Sequence, residues 1–253
     1  MTQSEALDLL KCGYNVFLTG AAGAGKTYLL NQYIQYLRDH DVGVAITAST
    51  GIAATHINGQ TIHSWSGMGI RDAIADDELQ ALMAKSNIKR NFKKAEVLII
   101  DEISMLNAHQ IDKVERIARH MNDFTKSFGG LQVILTGDFF QLPPIMPRDD
   151  PYAEVKFAYE SNAWEVGEFQ ICYLHEQFRQ GEDPLLDVLN DIRSGQAGEE
   201  TKVPLRTRYK REPHGNMKPT KLYARNMHVD AINNRELDVL GGDEEEFRME
   251  TRG

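Results

Sequence analysis

Eight residues near the amino terminus have the types and spacing of a phosphate-binding loop. Residues 20–27 read Gly-Ala-Ala-Gly-Ala-Gly-Lys-Thr, which fits the G-x-x-x-x-G-K-[ST] pattern. Glycines let the backbone curl until successive N–H groups point at phosphate oxygens, and a following helix N-terminus adds a favourable dipole. Lys26 would then reach the outer phosphates, and the Thr27 hydroxyl would bind Mg²⁺. The predicted chemistry is therefore binding and transfer of nucleotide phosphates.

Two adjacent carboxylates end an apolar run further along the chain. Residues 97–100, Val-Leu-Ile-Ile, have the pattern of a strand buried on both faces, and Asp101 and Glu102 follow. Asp101 would hold the Mg²⁺ that Thr27 also binds, and Glu102 would orient and deprotonate the attacking water. The alternative is that both acids cap a helix N-terminus. Together with the phosphate-binding loop, the catalytic interpretation is favoured.

A third apolar run, residues 131–136, leads into Gly-Asp-Phe-Phe-Gln-Leu-Pro-Pro. Gln141 lies just past this strand end, where it would sense the terminal phosphate. The two prolines stiffen the segment, as a sensor that transmits motion needs. The ordinary alternative is a Gly-Asp turn closed by prolines, which is a common connection.

These chemical groups need a parallel sheet to bring them together. Strand-like runs alternate with segments of helical periodicity, which predicts an α/β fold with a parallel sheet flanked by helices. In such a sheet the carboxyl ends of the strands line the ligand crevice. The predicted strands are 15–19, 42–47, 97–100, 131–136 and 221–226, and the predicted helices are 2–11, 28–37, 76–84, 106–122, 183–195 and 229–240.

Composition narrows the class of protein. The chain has 253 residues, of which 42% are hydrophobic and 26% charged, as in an ordinary soluble protein. Two widely separated cysteines predict a reducing compartment without a disulfide framework, and no signal pattern or apolar run predicts a membrane span. We therefore expect a cytoplasmic protein in a bacterial or phage-type context, with a nuclear location as the alternative if the source is eukaryotic. A formal net charge of −9 argues against a nonspecific nucleic-acid coat, but it leaves room for a local basic groove.

Two segments could touch nucleic acid. Residues 59–65, Gly-Gln-Thr-Ile-His-Ser-Trp, offer His63 or Trp65 for stacking on an unpaired base. A satisfied loop histidine and a half-buried tryptophan are the ordinary alternative, which is favoured on residue type alone. A basic cluster follows and is a candidate contact for a nucleic-acid backbone, although charge runs are usually solvated faces. Its members are Lys85, Lys89, Arg90, Lys93 and Lys94.

The motifs together resemble one known family. In chain order they read GAAGAGKT, TASTGIAA, GQTIHSW, LIIDEISM, DKVERIARHM and LTGDFFQLPPI. This set is similar to the PIF-type DNA helicases of superfamily one, which are related to the Dda and RecD proteins, and the match runs from Gln3 to about Gly195. The resemblance implies a P-loop NTPase with a RecA-like sheet, the cofactors ATP and Mg²⁺, and 5′-to-3′ movement on single-stranded DNA. It also implies roles in DNA repair, DNA recombination and telomere maintenance.

The resemblance also implies roles for residues that their type alone does not distinguish. Gln3 matches the adenine-reading glutamine, and Arg179 matches an arginine finger that opens the second RecA-like domain. The predicted nucleotide-binding residues are Gln3, Gly20, Ala21, Ala22, Gly23, Ala24, Gly25, Lys26, Thr27 and Tyr28; the predicted catalytic residues are Lys26, Glu102, Gln141 and Arg179; the predicted metal ligands are Thr27 and Asp101; and the predicted DNA-binding residues are Thr50, Gly51, Thr61, His63 and Ser64.

The resemblance covers only part of the family's pattern. We expect a first RecA-like domain at 1–170, with a small insertion at about 66–94, and a partial second domain at 171–253. Three later features of the family do not occur before Gly253. They are a further DNA-contact motif, a histidine-lysine-serine-glutamine-glycine type motif and a second arginine finger. The chain is therefore expected to be a piece of a longer protein or a natural partial homologue, and a poor helicase alone.

Two functions from different classes remain. The first is a DNA-dependent ATPase, the motor portion of a helicase that acts as a monomer on single-stranded or forked DNA, away from membranes. The second is a non-catalytic module that binds nucleotide or DNA without efficient turnover. A small-molecule kinase is a third alternative, disfavoured by LIIDEISM and GDFFQLPP.

Overall fold

The chain divides by its internal contacts into two units, residues 1–201 and 202–253. Every predicted site residue that the structure describes lies in the first unit. The computed structural model describes residues 1–69, 74–144, 156–175, 184–211, 220–223, 226–240, 242 and 245.

Helices and strands alternate along most of the first unit. Three short 3₁₀ turns, Ile103–Met105, Ser127–Gly130 and Ala158–Glu160, separate some of them. The other helices and strands of the described chain are α1 (Gln3–Lys11), β1 (Val16–Gly20), α2 (Lys26–Asp39), β2 (Val44–Ala48), α3 (Gly51–His56), β3 (Gln60–Thr61), α4 (Ile62–Ser66), α5 (Asp76–Met83), α6 (Ser86–Lys94), β4 (Val97–Asp101), α7 (Ala108–Met121), β5 (Gln132–Thr136), α8 (Asn162–Val166), β6 (Gln170–Leu174), α9 (Pro184–Ser194), α10 (Glu199–Arg208) and α11 (Asn226–Val239).

Six parallel strands form the centre of the first unit, in the order β3-β2-β4-β5-β1-β6. The predicted α/β fold with a parallel sheet is confirmed. Because all strands run the same way, their carboxyl ends meet at one edge. The phosphate-binding loop after β1 and the acids at the end of β4 therefore share that edge, with β5 between their strands.

Helices cover both faces of the sheet, so the central strands read as continuous apolar runs. Alternate residues of each strand enter opposite cores. In β4, Ile99 joins the core under α1, α2 and α3, whereas Leu98 and Ile100 join the core under α4 to α8. Full burial of an aliphatic side chain of this size contributes roughly 1.5–3 kcal/mol, so these strands anchor the edge that carries the site.

The predicted insertion at about 66–94 is part of this packing. The two helices in it, α5 and α6, bury Leu79 and Leu82 from the first and Ile88 and Phe92 from the second. Residues 70–73 lie outside the described part of the chain. Among described residues, the segment therefore contributes to the core of the first unit.

The structure extends the first unit past the predicted boundary at residue 170. Strand β6 begins at Gln170 and pairs with β1 along its whole length, from Val16 opposite Gln170 to Gly20 opposite Leu174. The sequence did not predict this strand because it forms an edge of the sheet, where only Cys172 and Leu174 are buried. The unit then continues through α9 to Thr201.

One predicted strand is wrong in its described part. Residues 221–223 have no regular secondary structure, and residues 224 and 225 lie outside the described residues. The helix predicted at 229–240 is found as α11, which begins slightly earlier. Leu222 is 93% and Leu240 72% exposed, so this part of the chain presents apolar side chains at its surface.

No helix in the described ranges combines the length and apolar character that crossing a bilayer requires.

Candidate active site

The phosphate-binding loop joins β1 to α2 through glycines that no other residue could replace without strain. Gly23 and Gly25 have φ of 84° and 80°, in the left-handed region that glycine adopts readily. At Gly20, with φ of 152°, an added Cβ would lie 2.8 Å from the carbonyl oxygen of Leu174. The glycines thus permit both the curl of the loop and its close approach to β6.

The Lys26 side chain folds back over this loop. Its Nζ donates hydrogen bonds to the carbonyl oxygens of Gly20 at 2.8 Å and Ala21 at 3.1 Å. Burial lowers the pKa of Lys26, while the carboxylates of Asp138, Glu102 and Asp101 oppose the shift, in that order of effect. The ammonium is therefore within electrostatic reach of all three of these carboxylates.

Asp101 and Glu102 have different environments although they are adjacent. Burial raises the pKa of Asp101 to about 6, even though the Glu102 N–H donates to its Oδ1 at 3.0 Å. Glu102 has φ 54° and ψ 48°, a left-handed conformation that is uncommon and mildly strained for a residue with a side chain. This backbone conformation turns the chain sharply at the carboxyl end of β4 and sets the direction of the second carboxylate.

The donor chemistry fits a Mg²⁺ ion held mainly by substrate. Among the described residues, no cluster of three or more His, Cys, Asp or Glu side chains could form a metal cage. Mg²⁺ usually takes one or two carboxylates together with waters and substrate phosphates. The Asp101 carboxylate, partly deprived of solvent, and the exposed Thr27 hydroxyl are of that kind.

Gln141 contacts a buried carboxylate after β5. Its Nε2 donates to Asp138 Oδ2 at 3.2 Å, and the Phe140 N–H donates to Asp138 Oδ1 at 3.1 Å. Arg193, on α9, forms an ion pair with the same Oδ2. Burial alone would raise the pKa of Asp138, but the hydrogen bonds from Arg193, Phe140 and Gln141 lower it on balance. Asp138 is therefore an anion that fixes this segment.

The remaining predicted nucleotide residues border the loop. Gln3, the first residue of α1, donates from Nε2 to the Gly25 carbonyl oxygen at 3.4 Å, so its side chain lies against the loop. Tyr28, on the first turn of α2, is 61% exposed. Arg179 lies outside the described residues, so its predicted role stays a prediction.

Two helix N-termini carry the predicted DNA contacts. Thr50 caps α3 by accepting from the Ala53 N–H at 3.3 Å, and Thr61 caps α4 by accepting from the Ser64 N–H at 3.2 Å. Gly51 is exposed on the first turn of α3. Because β2 and β3 are neighbours in the sheet, the two caps lie at the same edge. Residues 60–66, which include His63 and Trp65, thus form a short strand followed by a helix.

His63 and Trp65 differ in accessibility. His63 is half-buried, and burial together with the nearby Lys113 ammonium lowers its pKa. Trp65 is 3% exposed, with its ring 4.3 Å from that of Phe92. The stacking hypothesis is therefore wrong for Trp65, which belongs to the core, while His63 keeps an accessible edge.

The basic cluster forms one exposed face of α6. The helix is held against α4 by its apolar face and by Asn91, whose Nδ2 donates to the Trp65 carbonyl oxygen at 2.9 Å. Within the described ranges, no ion pair links this face to an acid. Its exposed cations are Lys85, Lys89, Arg90, Lys93 and Lys94.

A family model described as PIF1-like helicase matches residues 3–201 of this chain. The chain belongs to the PIF1-like helicase family. The match begins at the predicted adenine-reading glutamine and ends with the first unit, so it covers all the described site residues.

Similar proteins carry the same family name. The ATP-dependent DNA helicase Pif1 of Psychrobacter is 48% identical over 96% of this chain, and PIF1 of Saccharomyces cerevisiae is 39% identical over 95%. The chain spans 38% and 28% of the lengths of these two relatives.

The crystal structure of Pif1 helicase from Candida albicans is similar with a TM-score of 0.83 at 36% identity, covering 95% of this chain and 55% of that one. A Bacteroides Pif1 structure in complex with ADP-AlF3 and ssDNA has a TM-score of 0.77 at 26% identity, covering 97% of this chain and 60% of that one.

Two residues that hold Gln141 in this PIF1-like chain, Asp138 and Arg193, were not predicted from the sequence. Asp138 stands inside the quoted motif but received no role, and Arg193 lies 55 residues away on a helix. An acid between a buried strand and a predicted sensor was a usable signal for Asp138. Nothing in the sequence alone pointed to Arg193.

Proposed function

We propose that this chain is the ATP-hydrolysing motor portion of a DNA helicase that moves 5′ to 3′ on single-stranded DNA. The observation that carries the proposal is the convergence of the phosphate-binding loop with Asp101 and Glu102 at one sheet edge in a PIF1-like chain. A motor of this kind needs both a phosphate cradle and a base beside it.

Lys26 and the loop would bind the nucleotide. On ATP binding, the Lys26 ammonium exchanges the Gly20 and Ala21 carbonyls for the outer phosphates, while the loop N–H groups bind the inner ones. Thr27 and Asp101 would hold Mg²⁺, which when bound would neutralise charge on the phosphate oxygens. Gln3 hydrogen-bonds the adenine edge, since its side chain reaches Gly25 at the end of the loop.

Glu102 would act as the general base. Its carboxylate takes a proton from the attacking water as the oxygen bonds to the terminal phosphorus, and the bond to the bridging oxygen breaks to release ADP. Gln141 hydrogen-bonds the terminal phosphate. Arg179, by the family resemblance, adds positive charge to the transferring phosphoryl group.

The DNA path we propose runs over the N-termini of α3 and α4. Thr50, Gly51, Thr61 and Ser64 offer hydroxyl and N–H groups to the DNA backbone, and His63 contacts a base. This path is coupled to the nucleotide site because the Ser49 N–H, directly before Thr50, donates to the Asp101 carbonyl oxygen at 3.0 Å. The basic face of α6 extends the path, since α6 packs on the helix that carries His63.

The physiological substrate is proposed from the relatives. A structure similar to this chain is described as DNA unwinding at forked dsDNA by two coordinating Pif1 helicases, and another as Bacteroides Pif1 bound to ssDNA. We propose single-stranded or forked DNA as the partner, in repair, recombination and telomere maintenance. We further propose that this chain acts as a cytoplasmic monomer and uses Mg²⁺.

Phosphate release with and without an oligothymidine tests this function. The wild-type chain should release phosphate from ATP faster when single-stranded DNA is added, and Glu102→Gln should bind ATP but lose that release, because an amide cannot take a proton. Asp8→Asn, an exposed substitution on α1, is the matched control and should behave as wild type. Nucleotide binding without DNA-stimulated release would instead support the non-catalytic module.

A further inference from the structure

Arg193 is a partly buried cation near Gln141 that the proposed mechanism does not use. Its side chain is 17% exposed and that of Asp138 3%, and the two form an ion pair. The guanidinium also lies 4.6 Å from the centre of the Phe140 ring and donates from Nη2 to the Tyr173 hydroxyl at 3.5 Å. One side chain on α9 therefore joins β6 to the segment that follows β5.

We infer that Arg193 is a positioning residue for Gln141, acting through Asp138. This inference rests on the proposed function, in which Gln141 senses the terminal phosphate of ATP. Asp138 Oδ2 receives both the Arg193 guanidinium and the Gln141 amide, so the same oxygen atom is shared by the two side chains. The orientation of Gln141 is thereby tied to the presence of Arg193.

The charge of Asp138 explains why a cation is needed at this point. A carboxylate that is nearly inaccessible to solvent is costly unless it is paired and hydrogen-bonded. The Asp138 carboxylate also attracts the Lys26 ammonium, whose pKa it raises. With Arg193 in place, Asp138 is neutralised from the side of α9, and Lys26 stays available for phosphates.

The geometry favours positioning over direct phosphate contact. The Arg193 guanidinium is engaged by Asp138, by the face of Phe140 and by Tyr173, whereas Gln141 itself is exposed. Arg193 thus holds Asp138 and Phe140 in place, and Gln141 is the residue that contacts the nucleotide.

A double-mutant cycle on nucleotide selectivity tests this inference. The affinities of a non-hydrolysable ATP analogue and of ADP are measured, with Mg²⁺, for wild type, Arg193→Ala, Gln141→Ala and the double variant. Arg193→Ala should weaken the ATP analogue about tenfold while changing ADP much less. The double variant should be no weaker than Gln141→Ala alone, because Arg193 acts through that residue.

The control variant removes a different arginine that also forms an ion pair. Arg116 pairs with Asp76 across α7 and α5, and Arg116→Ala should leave both affinities unchanged. Arg193→Lys, which keeps the charge, should restore part of the preference for the ATP analogue. If Arg193→Ala unfolds the chain in a thermal melt, the same comparison is made with Arg193→Lys and Arg193→Gln, of which Gln should lose more.

Three results would overturn the inference. Equal weakening of ATP analogue and ADP would make Arg193 a general structural residue. Additive losses in the double variant would mean that Arg193 contacts the phosphate itself. Unchanged selectivity in Arg193→Ala would leave it no role in nucleotide sensing. If wild type binds neither nucleotide, the proposed function fails first, and the inference fails with it.

Discussion

At the scale of single residues, two residues with proposed chemical roles, Asp101 and Glu102, are in environments or conformations that are energetically unfavourable. Asp101 is a carboxylate held out of solvent with its pKa raised to about 6, and Glu102 occupies a left-handed backbone conformation. Both features lower the stability of the folded chain when no nucleotide is bound. They would become useful only when substrate and metal are present. The site is therefore a place where stability and function compete.

Asp101→Asn should stabilise the metal-free and nucleotide-free chain. A pKa raised from the ordinary 3.8 to about 6 means that the folded chain binds the proton more tightly than the unfolded chain. The associated stability is complete below about pH 4 and is lost as pH rises through about 6, a loss of up to about 3 kcal/mol.

Urea denaturation in the presence of a chelator, at neutral pH and at about pH 4, measures this effect. The variant should exceed wild type at neutral pH, and the difference should vanish in acid. Asp8→Asn, the exposed control on α1, should show no such difference at either pH. An Asp101→Asn chain that is less stable than wild type at neutral pH would show that the carboxylate is not a net cost.

At the scale of elements, the strands and site residues that could be predicted were those with a periodic apolar pattern or a fixed motif spacing. The strands β1, β2, β4 and β5 are apolar runs buried between two layers of helices, so their residue types alone identify them. Lys26 and Asp101 could be found because each follows such a strand within a fixed pattern.

The elements that were missed lack this kind of signal. Strand β6 is half exposed at the sheet edge, and α6 carries only two buried side chains, Ile88 and Phe92, among its cations. The strand at 221–226 was predicted from its apolar residues, but the described residues of this segment do not pair with any strand of the sheet. The Asp138–Arg193 pair could not be predicted because a contact between distant elements leaves no period in the sequence.

The basic face of α6 gives a prediction at this scale. Lys89→Ala with Lys93→Ala should weaken binding to an oligothymidine and flatten its dependence on salt, because two released counterions are lost. The slope of log affinity against log salt should fall by about 1.4.

The matched control removes two cations on the other side of the sheet. Lys11→Ala with Arg38→Ala changes exposed residues of α1 and α2 and should leave the salt slope near that of wild type. Equal flattening by both pairs would mean that DNA responds only to net charge, and α6 would then be an ordinary solvated face.

At the scale of the whole molecule, every described residue of the candidate site lies in the first unit. The first unit contains the phosphate-binding loop, the acids and Gln141, whereas the chain spans 38% of its Psychrobacter relative. In other phosphate-transferring enzymes an arginine finger contributes 10³–10⁵ in rate, and we propose that role for Arg179.

Strand separation by this chain should therefore be poor. On a duplex with a 5′ single-stranded tail and added ATP, we expect little unwinding even where DNA-stimulated phosphate release is measurable. A duplex with a 3′ tail is the matched control for direction. Robust unwinding of the 5′-tailed duplex by these 253 residues would contradict the interpretation that the motor needs more of the family's pattern.

The central claim is that residues 20–27 and the two acids at the carboxyl end of β4, Asp101 and Glu102, form one ATP site. Equilibrium binding of a fluorescent ATP analogue with Mg²⁺, compared among wild type, Lys26→Ala and Glu102→Gln, tests it most directly. Wild type and Glu102→Gln should bind with similar affinity, while Lys26→Ala should bind at least about tenfold more weakly, because a positive charge on the outer phosphates is lost. Lys26→Ala that binds as tightly as wild type would contradict the account.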